Sequence, residues 1–258
     1  MRCSPAFHAP PSRDVSVLAG RVALVTGAGR RVGRAIAVAL GAEGMRVVAH
    51  FNASVDGARE TARLIADAGG SATVAQADLG NVDGCEQLID AVVAGQGELH
   101  CLVNSAAIML RTPVGTVSEG DWDAMYALNV RAPFFLTQRA APALRSARGS
   151  VVNIADLAAF ETWTGYVPHG MTKAAVVQMT RALAHALAPE VRVNAVAPGV
   201  VLLPDGFDEA QAEHLRRTTP LQRIGTPEDV AAAVVYLLRA EFVTGEIIRV
   251  DGGRHVRR

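Results

Sequence analysis

At 258 residues and half apolar, the chain is long enough to bury one large core and reads as a single α/β unit. Its 25 Lys and Arg are matched by 25 Asp and Glu, so no overall field draws it to nucleic acid or an anionic membrane; the arginines at 30, 31 and 34 are a local exception. Cys3, Cys85 and Cys101 lack the spacing of a metal site or disulfide framework, so no metal is expected, and the odd count fits a reducing cytoplasm.

The first 19 residues hold three prolines and no apolar run, and read as a flexible arm ahead of a domain over 20–258. Val22 to Val25 is then a buried strand. It runs into a glycine turn, Thr26-Gly27-Ala28-Gly29-Arg30-Arg31-Val32-Gly33, and a helix marked by Val32, Ile36, Ala39 and Leu40. Free amides and the positive helix end make such a turn an anion site, and Gly27 and Gly29 let backbone approach a phosphate. The spacing is not the strict G-x-G-x-x-G, and a tight connection without a ligand is the plain alternative.

Arg46 to His50 is a second strand. Dinucleotide sites place an acid near its end to bind the ribose 2′-hydroxyl of NAD. Here the stretch is His50-Phe-Asn52-Ala53-Ser54, with no acid before Asp56. The missing carboxylate, with Arg31 nearby and Asn52 and Ser54 as hydrogen-bonding groups, favours the 2′-phosphate of NADP; an ordinary loop with a solvated arginine is the other reading. A helix is expected over 57–69, a strand over 71–77, a helix over 82–95 and a strand over 99–103. Asp78, followed by Leu79, either meets an adenine amino group or forms an N-cap-like turn.

Asn104-Ser105-Ala106 ends the fourth strand with small residues that leave room for a flat ligand. Ser118 to Asp121 resembles a capping box opening a long helix with Asn129 in its middle, either serving the site or hydrogen-bonded in the core. Strand 150–154, helix 171–188 and strand 191–196 follow, the last closing on Pro198-Gly199. The apolar stretch 174–188 is broken by Gln178, Arg181 and His185 and is no membrane span. Residues 199–225 read as a mobile lid with a short helix over 207–217; Thr226-Pro227 caps a further helix, and 247–250 is the last strand. Strands alternating with helices imply a doubly wound, mostly parallel sheet whose ligands sit at the strands' carboxyl ends.

From about residue 20 onward the chain resembles the short-chain dehydrogenase/reductase family. The carrying pieces are the glycine turn, Asp78-Leu79, Asn104 to Ala107, Asn129, Asp156 to Lys173, Val193 to Gly199, and Val243 through Gly253. Within the family, Arg31, Asp156 in place of the usual catalytic Ser, and the tail Asp251-Gly-Gly-Arg-His255 look most like the pteridine and dihydromonapterin reductases. The resemblance implies a single Rossmann-type domain of about seven strands. It also implies NADP(H) held by Gly27, Gly29, Arg30, Arg31, Val32, Asn52, Ser54, Asp78, Leu79, Asn104, Ser105, Ala106, Lys173, Pro198 and Gly199. A homotetramer or homodimer packed through helices near 119–146 and 171–188 follows from it too, as does a small-molecule substrate met by Met109 and Tyr166.

The chain departs from the family at the catalytic helix. The family uses Tyr-x-x-x-Lys, the Lys holding the nicotinamide ribose and lowering the Tyr pKa. Here Lys173 matches, but His169 stands where Tyr is expected. Tyr166 lies seven residues before the Lys, and Pro168 places it in the preceding loop. Imidazole is a competent general acid. The expected function is therefore NADPH-dependent reduction of a C=N or C=O, with His169 as proton donor, Asp156 its partner, Lys173 the ribose clamp and Asn129 supporting Lys173 through water. The alternatives are a catalytically impaired nucleotide-binding protein on the same fold, and Tyr166 swinging in as the acid. Met109 stands where pteridine reductases tend to hold an aromatic, and Ala53 where a basic residue often assists NADP, leaving more of that load to Arg31.

Overall fold

The computed structural model describes residues 16–203 and 208–256. Seven strands form one parallel sheet: β1 (Val22–Val25), β2 (Arg46–Phe51), β3 (Ser71–Gln76), β4 (Cys101–Asn104), β5 (Ser150–Ile154), β6 (Arg192–Pro198) and β7 (Ile247–Val250). Their spatial order is β3-β2-β1-β4-β5-β6-β7. The order reverses between β1 and β4, so a crevice opens at their carboxyl ends. The helices are α1 (Arg31–Ala42), α2 (Val55–Asp67), α3 (Val82–Gln96), α4 (Glu119–Tyr126), α5 (Ala132–Ser146), α6 (Val167–Leu187), α7 (Glu209–Thr218) and α8 (Pro227–Arg239). None among the described residues is long and apolar enough to cross a membrane.

The alternation of side chains along a strand divides the core in two. Ala23 and Val25 of β1 join Ile36 and Leu40 of α1, Ile65 of α2 and Val230, Val234 and Leu237 of α8. Val22 and Leu24 point the other way, onto Leu88 and Ile89 of α3 and Leu136 and Leu144 of α5. Both faces of β1 are thus covered, which is why its sequence is uninterrupted apolar.

Most elements fall within two residues of expectation, and Thr226 makes the expected N-cap, reciprocated by Asp229. Three differences bear on the site. The expected arm does not run to residue 19: residues 1–15 lie outside the described residues, while Leu18 is buried in the core and the Ser16 hydroxyl donates to Glu43 at 2.7 Å. The long helix from Ser118 is three pieces, with a π turn over Ala127–Arg131 between α4 and α5. Pro133 has no N–H to give the Asn129 carbonyl four residues back, and the ladder widens there. Finally, α6 begins at Val167, four residues before the expected start. Pro168 sits in its first turn, where a missing N–H costs nothing. Tyr166 is the N-cap residue, just outside the helix as expected.

Candidate active site

The glycine turn is built by close approach. Gly27 has φ +66°, and a Cβ there would lie 2.9 Å from the Ala106 Cα. At Gly33 a Cβ would come within 2.3 Å of the Gly27 carbonyl oxygen, so the start of α1 lies hard against the turn. Side chains then fasten it. The Thr26 hydroxyl accepts from the Ser105 and Ala106 amides at 2.9 and 3.0 Å and links the ends of β1 and β4. The Arg34 guanidinium donates to the carbonyls of Gly29 and Gly57 and to the Thr61 hydroxyl. Arg34 is therefore consumed inside the fold, whereas Arg30 and Arg31 are exposed at the start of α1. Arg31 has φ +52°, a strained backbone for a residue with a side chain, and such strain clusters at functional sites.

On the far side of the turn, Asn52, Ala53 and Ser54 are exposed between β2 and α2. Ser54 is the N-cap residue of α2, yet its hydroxyl makes no capping bond and is available to a ligand. The Asn52 amide reaches the Asp78 carboxylate at 3.5 Å. Asp78 accepts from the Gly80 amide and the Asn81 side chain, while Asn81 itself caps α3. Asp78 thus shapes the turn without being the helix cap. The Leu79 side chain is buried against α3, so only its backbone can face a coenzyme. Val32 is partly buried against the core.

At the centre of the sheet, Asn104 is buried and donates to Asn153 at 2.9 Å and to the Thr137 hydroxyl at 3.3 Å. Asn153 donates in turn to Thr180 of α6 at 2.9 Å. The Asn104 side-chain oxygen is buried with no hydrogen-bond partner. Pro198 ends β6, and at Gly199 a Cβ would lie 2.8 Å from that of Asp251, bringing this strand end against the last turn of the chain.

The candidate catalytic groups meet where α6 passes the carboxyl end of β5. His169 and Lys173 are one helical turn apart, and both are buried. The Lys173 ammonium donates to the Ile154 carbonyl at 2.9 Å. Burial pushes its pKa below the ordinary lysine range, and the Asp156 carboxylate opposes that shift. Asp156 accepts from the Ala158 amide at 2.7 Å, and its other oxygen lies 3.6 Å from His169 Nε2. Neither ring nitrogen of His169 has a hydrogen-bond partner. Asn129 accepts from the Ile108 amide and donates to the Ile108 carbonyl and the Thr172 hydroxyl, so it joins α6 beside Lys173 rather than at it. Met109 is exposed; Tyr166 is half-buried with its ring edge against Trp163. Among the described residues, no group of His, Cys, Asp or Glu could hold a metal ion.

The glycine cradle, the orphaned Asn104 oxygen and the exposed arginines at a helix start all fit a phosphate-bearing dinucleotide. Sequence reasoning placed Thr26 in the turn without giving it a role, and missed His50 and the structural task of Arg34. The available signal was a histidine set between Ala49 and Phe51 near the end of β2.

A family model described as "Enoyl-(Acyl carrier protein) reductase" matches residues 27–255. The chain is 34% identical to 3beta-hydroxysteroid dehydrogenase 1 of Eggerthella lenta, across 92% of this chain and 94% of that protein. It is 36% identical to pteridine reductase 1 of Leishmania tarentolae, across 90% of this chain and 95% of the relative. A solved short-chain dehydrogenase/reductase double mutant from Serratia marcescens superposes with a TM-score of 0.86 at 32% identity, covering 92% of this chain and 99% of the other. The chain belongs to the short-chain dehydrogenase/reductase family of oxidoreductases. Relatives of similar identity carry names for different substrates, so overall likeness does not choose one.

Proposed function

We propose that this chain is an NADPH-dependent reductase acting on a C=N or C=O of a small, pteridine-like substrate through an Asp156–His169–Lys173 site. The observation that carries the reading is the His169 ring. It is 2% exposed, has no hydrogen-bond partner on either nitrogen, and lies 3.6 Å from the Asp156 carboxylate. Leaving a buried polar group unsatisfied costs about 1–3 kcal/mol, which a ligand hydrogen bond at this place would offset.

When bound, the coenzyme supplies the hydride. The amides of Gly27 to Val32 and the Arg30 and Arg31 side chains would hold its phosphates, with Asn52 and Ser54 beside the 2′-phosphate and Asp78-Leu79 at the adenine. Asn104 to Ala106 and Pro198-Gly199 would line the crevice toward the nicotinamide, and Lys173 would hold its ribose. His169 donates a proton to the reduced oxygen or nitrogen. Asp156 is its partner in this reading, with a carboxylate oxygen 3.6 Å from His169 Nε2. Asn129 positions α6 through Thr172. Met109 packs on a flat ring through sulfur, with Tyr166 at the substrate mouth. The reading extends to a homotetramer or homodimer joined through α4, α5 and α6, supported by exposed Phe134, Val167 and Met171 on those helices and testable by sedimentation.

The test pairs calorimetry with NADPH and NADH with NADPH oxidation on a panel of dihydropterins, quinones and ketones. Tight NADPH binding with turnover of one class is the expected result. Binding without turnover on any class removes the chemistry; absence of binding removes the reading.

A further inference from the structure

His50 is a buried imidazole that the proposed chemistry does not use. It stands between Ala49 and Phe51 near the end of β2 and is 2% exposed. Its Nδ1 lies 3.1 Å from the Gly27 amide nitrogen, and its Nε2 lies 3.1 Å from the Ala77 carbonyl oxygen. The two partners fix the tautomer. The Gly27 amide can only donate, so Nδ1 accepts; the Ala77 carbonyl can only accept, so Nε2 carries the proton. The residue's own carbonyl also accepts from the Ala28 amide at 2.9 Å. One residue therefore holds two successive amides of the glycine turn and ties them to the end of β3, one position before Asp78.

Resting on the reading of this turn as a coenzyme cradle, we infer that His50 is a positioning residue for coenzyme binding, holding the glycine turn in its binding shape only while its ring is neutral. A protonated ring would place an N–H on Nδ1 against the Gly27 N–H, two donors facing each other with no acceptor between them. The turn must then move, and with it the amides that meet the phosphates. Burial holds the His50 pKa below the ordinary imidazole value, with the Ala77 carbonyl opposing, so the ring is neutral at pH 7 and charges only on acidification. His50 shares a face of β2 with Val48, the face that α3 covers, so the charged side chains on the elements around the ring are Asp78 after β3, Asp83, Glu86 and Asp90 of α3, and Arg30, Arg31 and Arg34 of the turn and α1. Arg34 is already spent on Gly29, Gly57 and Thr61.

The experiment measures the Kd of NADPH from pH 8 to pH 5 for the wild type, His50→Gln and His50→Leu. The coenzyme phosphate titrates near pH 6 itself, so the readout is the ratio between proteins at each pH. The Gln amide can accept from Gly27 but cannot take up a proton, and Leu can do neither. At pH 8, His50→Gln is expected within about threefold of the wild type and His50→Leu at least about tenfold weaker, the scale of one lost buried hydrogen bond. Toward pH 5 the wild type is expected to weaken by about tenfold more than His50→Gln. Parallel profiles for wild type and His50→Gln overturn the inference, as does a His50→Leu variant that binds like the wild type. If His50→Leu does not fold, the first comparison decides. Binding at pH 8 with parallel profiles sinks this inference alone, whereas no NADPH binding by the wild type at pH 8 sinks it together with the proposed function.

Discussion

The Lys173 ammonium, on α6, donates to the carbonyl of Ile154 at the end of β5, 2.9 Å away. The bond anchors a buried cation at the carboxyl edge of the sheet, beside the partly exposed Asp156. Burial holds the lysine pKa below its ordinary range, with Asp156 opposing. Between that lowered value and the ordinary one the unfolded chain binds more protons than the folded chain, so stability rises with pH across that window.

Lys173→Met is accordingly expected to raise Tm at pH 7 by about 3 °C, equivalent to about 1 kcal/mol in a chain of this size, while abolishing turnover. The gap in Tm between variant and wild type narrows as pH rises toward 10, because the wild-type cation is then neutralised. Thermal melts at pH 7 and pH 10 check this; a Tm gap that does not change with pH contradicts it.

Arg31 combines a left-handed backbone with an exposed guanidinium. Replacing it with glycine relieves the backbone and removes the charge. Arg31→Gly is expected to leave Tm unchanged or raised by about 2 °C, a fraction of a kcal/mol. The Kd of NADPH is expected to rise by about tenfold or more, with that of NADH changing by less than about twofold. Calorimetry with both coenzymes makes the comparison, and equal losses for the two would remove Arg31 from recognition of the 2′-phosphate.

Gly27 and Gly20 separate backbone strain from close approach. Both have positive φ, but a Cβ at Gly27 meets the Ala106 backbone at 2.9 Å, whereas one at Gly20 meets nothing within 4 Å. Gly20→Ala is expected to cost about 1 kcal/mol and Gly27→Ala at least about 2 kcal/mol, the latter with loss of coenzyme binding. Denaturant melts of the two variants give the difference directly.

Cys85 and Cys101 are both buried, and burial pushes their thiols up, to about 11 and about 12. The thiolate is the reactive form. Neither is expected to be alkylated in the folded protein at pH 8 within an hour, and both after unfolding, as peptide mapping would record. Labelling of Cys101 in the folded state would contradict the packing of β4.

Much of the sheet was legible because its strands are short apolar runs punctuated by glycine, asparagine and proline. Within the candidate site, placement was legible where it follows spacing: His169 and Lys173 lie one turn apart on α6, and an Asp156 carboxylate oxygen lies 3.6 Å from His169. What escaped was set by tertiary contact. Pro168 reads locally as a barrier to helix, yet as a first-turn residue it lets α6 begin at Val167. Pro133 widens the helix at Asn129 into a π turn whose side chain finds Ile108 and Thr172, contacts 21 and 43 residues away. Arg34 lies three residues after Arg31, but its guanidinium is drawn to the carbonyls of Gly29 and Gly57 and the Thr61 hydroxyl, whereas Arg31, with its left-handed backbone, and Arg30 stay exposed.

The central claim is that His169 delivers the proton. Single-turnover NADPH oxidation at pH 7, with a substrate the wild type reduces, measures it most directly in the wild type and His169→Ala. Removal of a general acid is worth about 10²–10⁴ in rate, and a fall in that range with unchanged NADPH affinity is the predicted result. Equal rates in the two proteins would contradict the account.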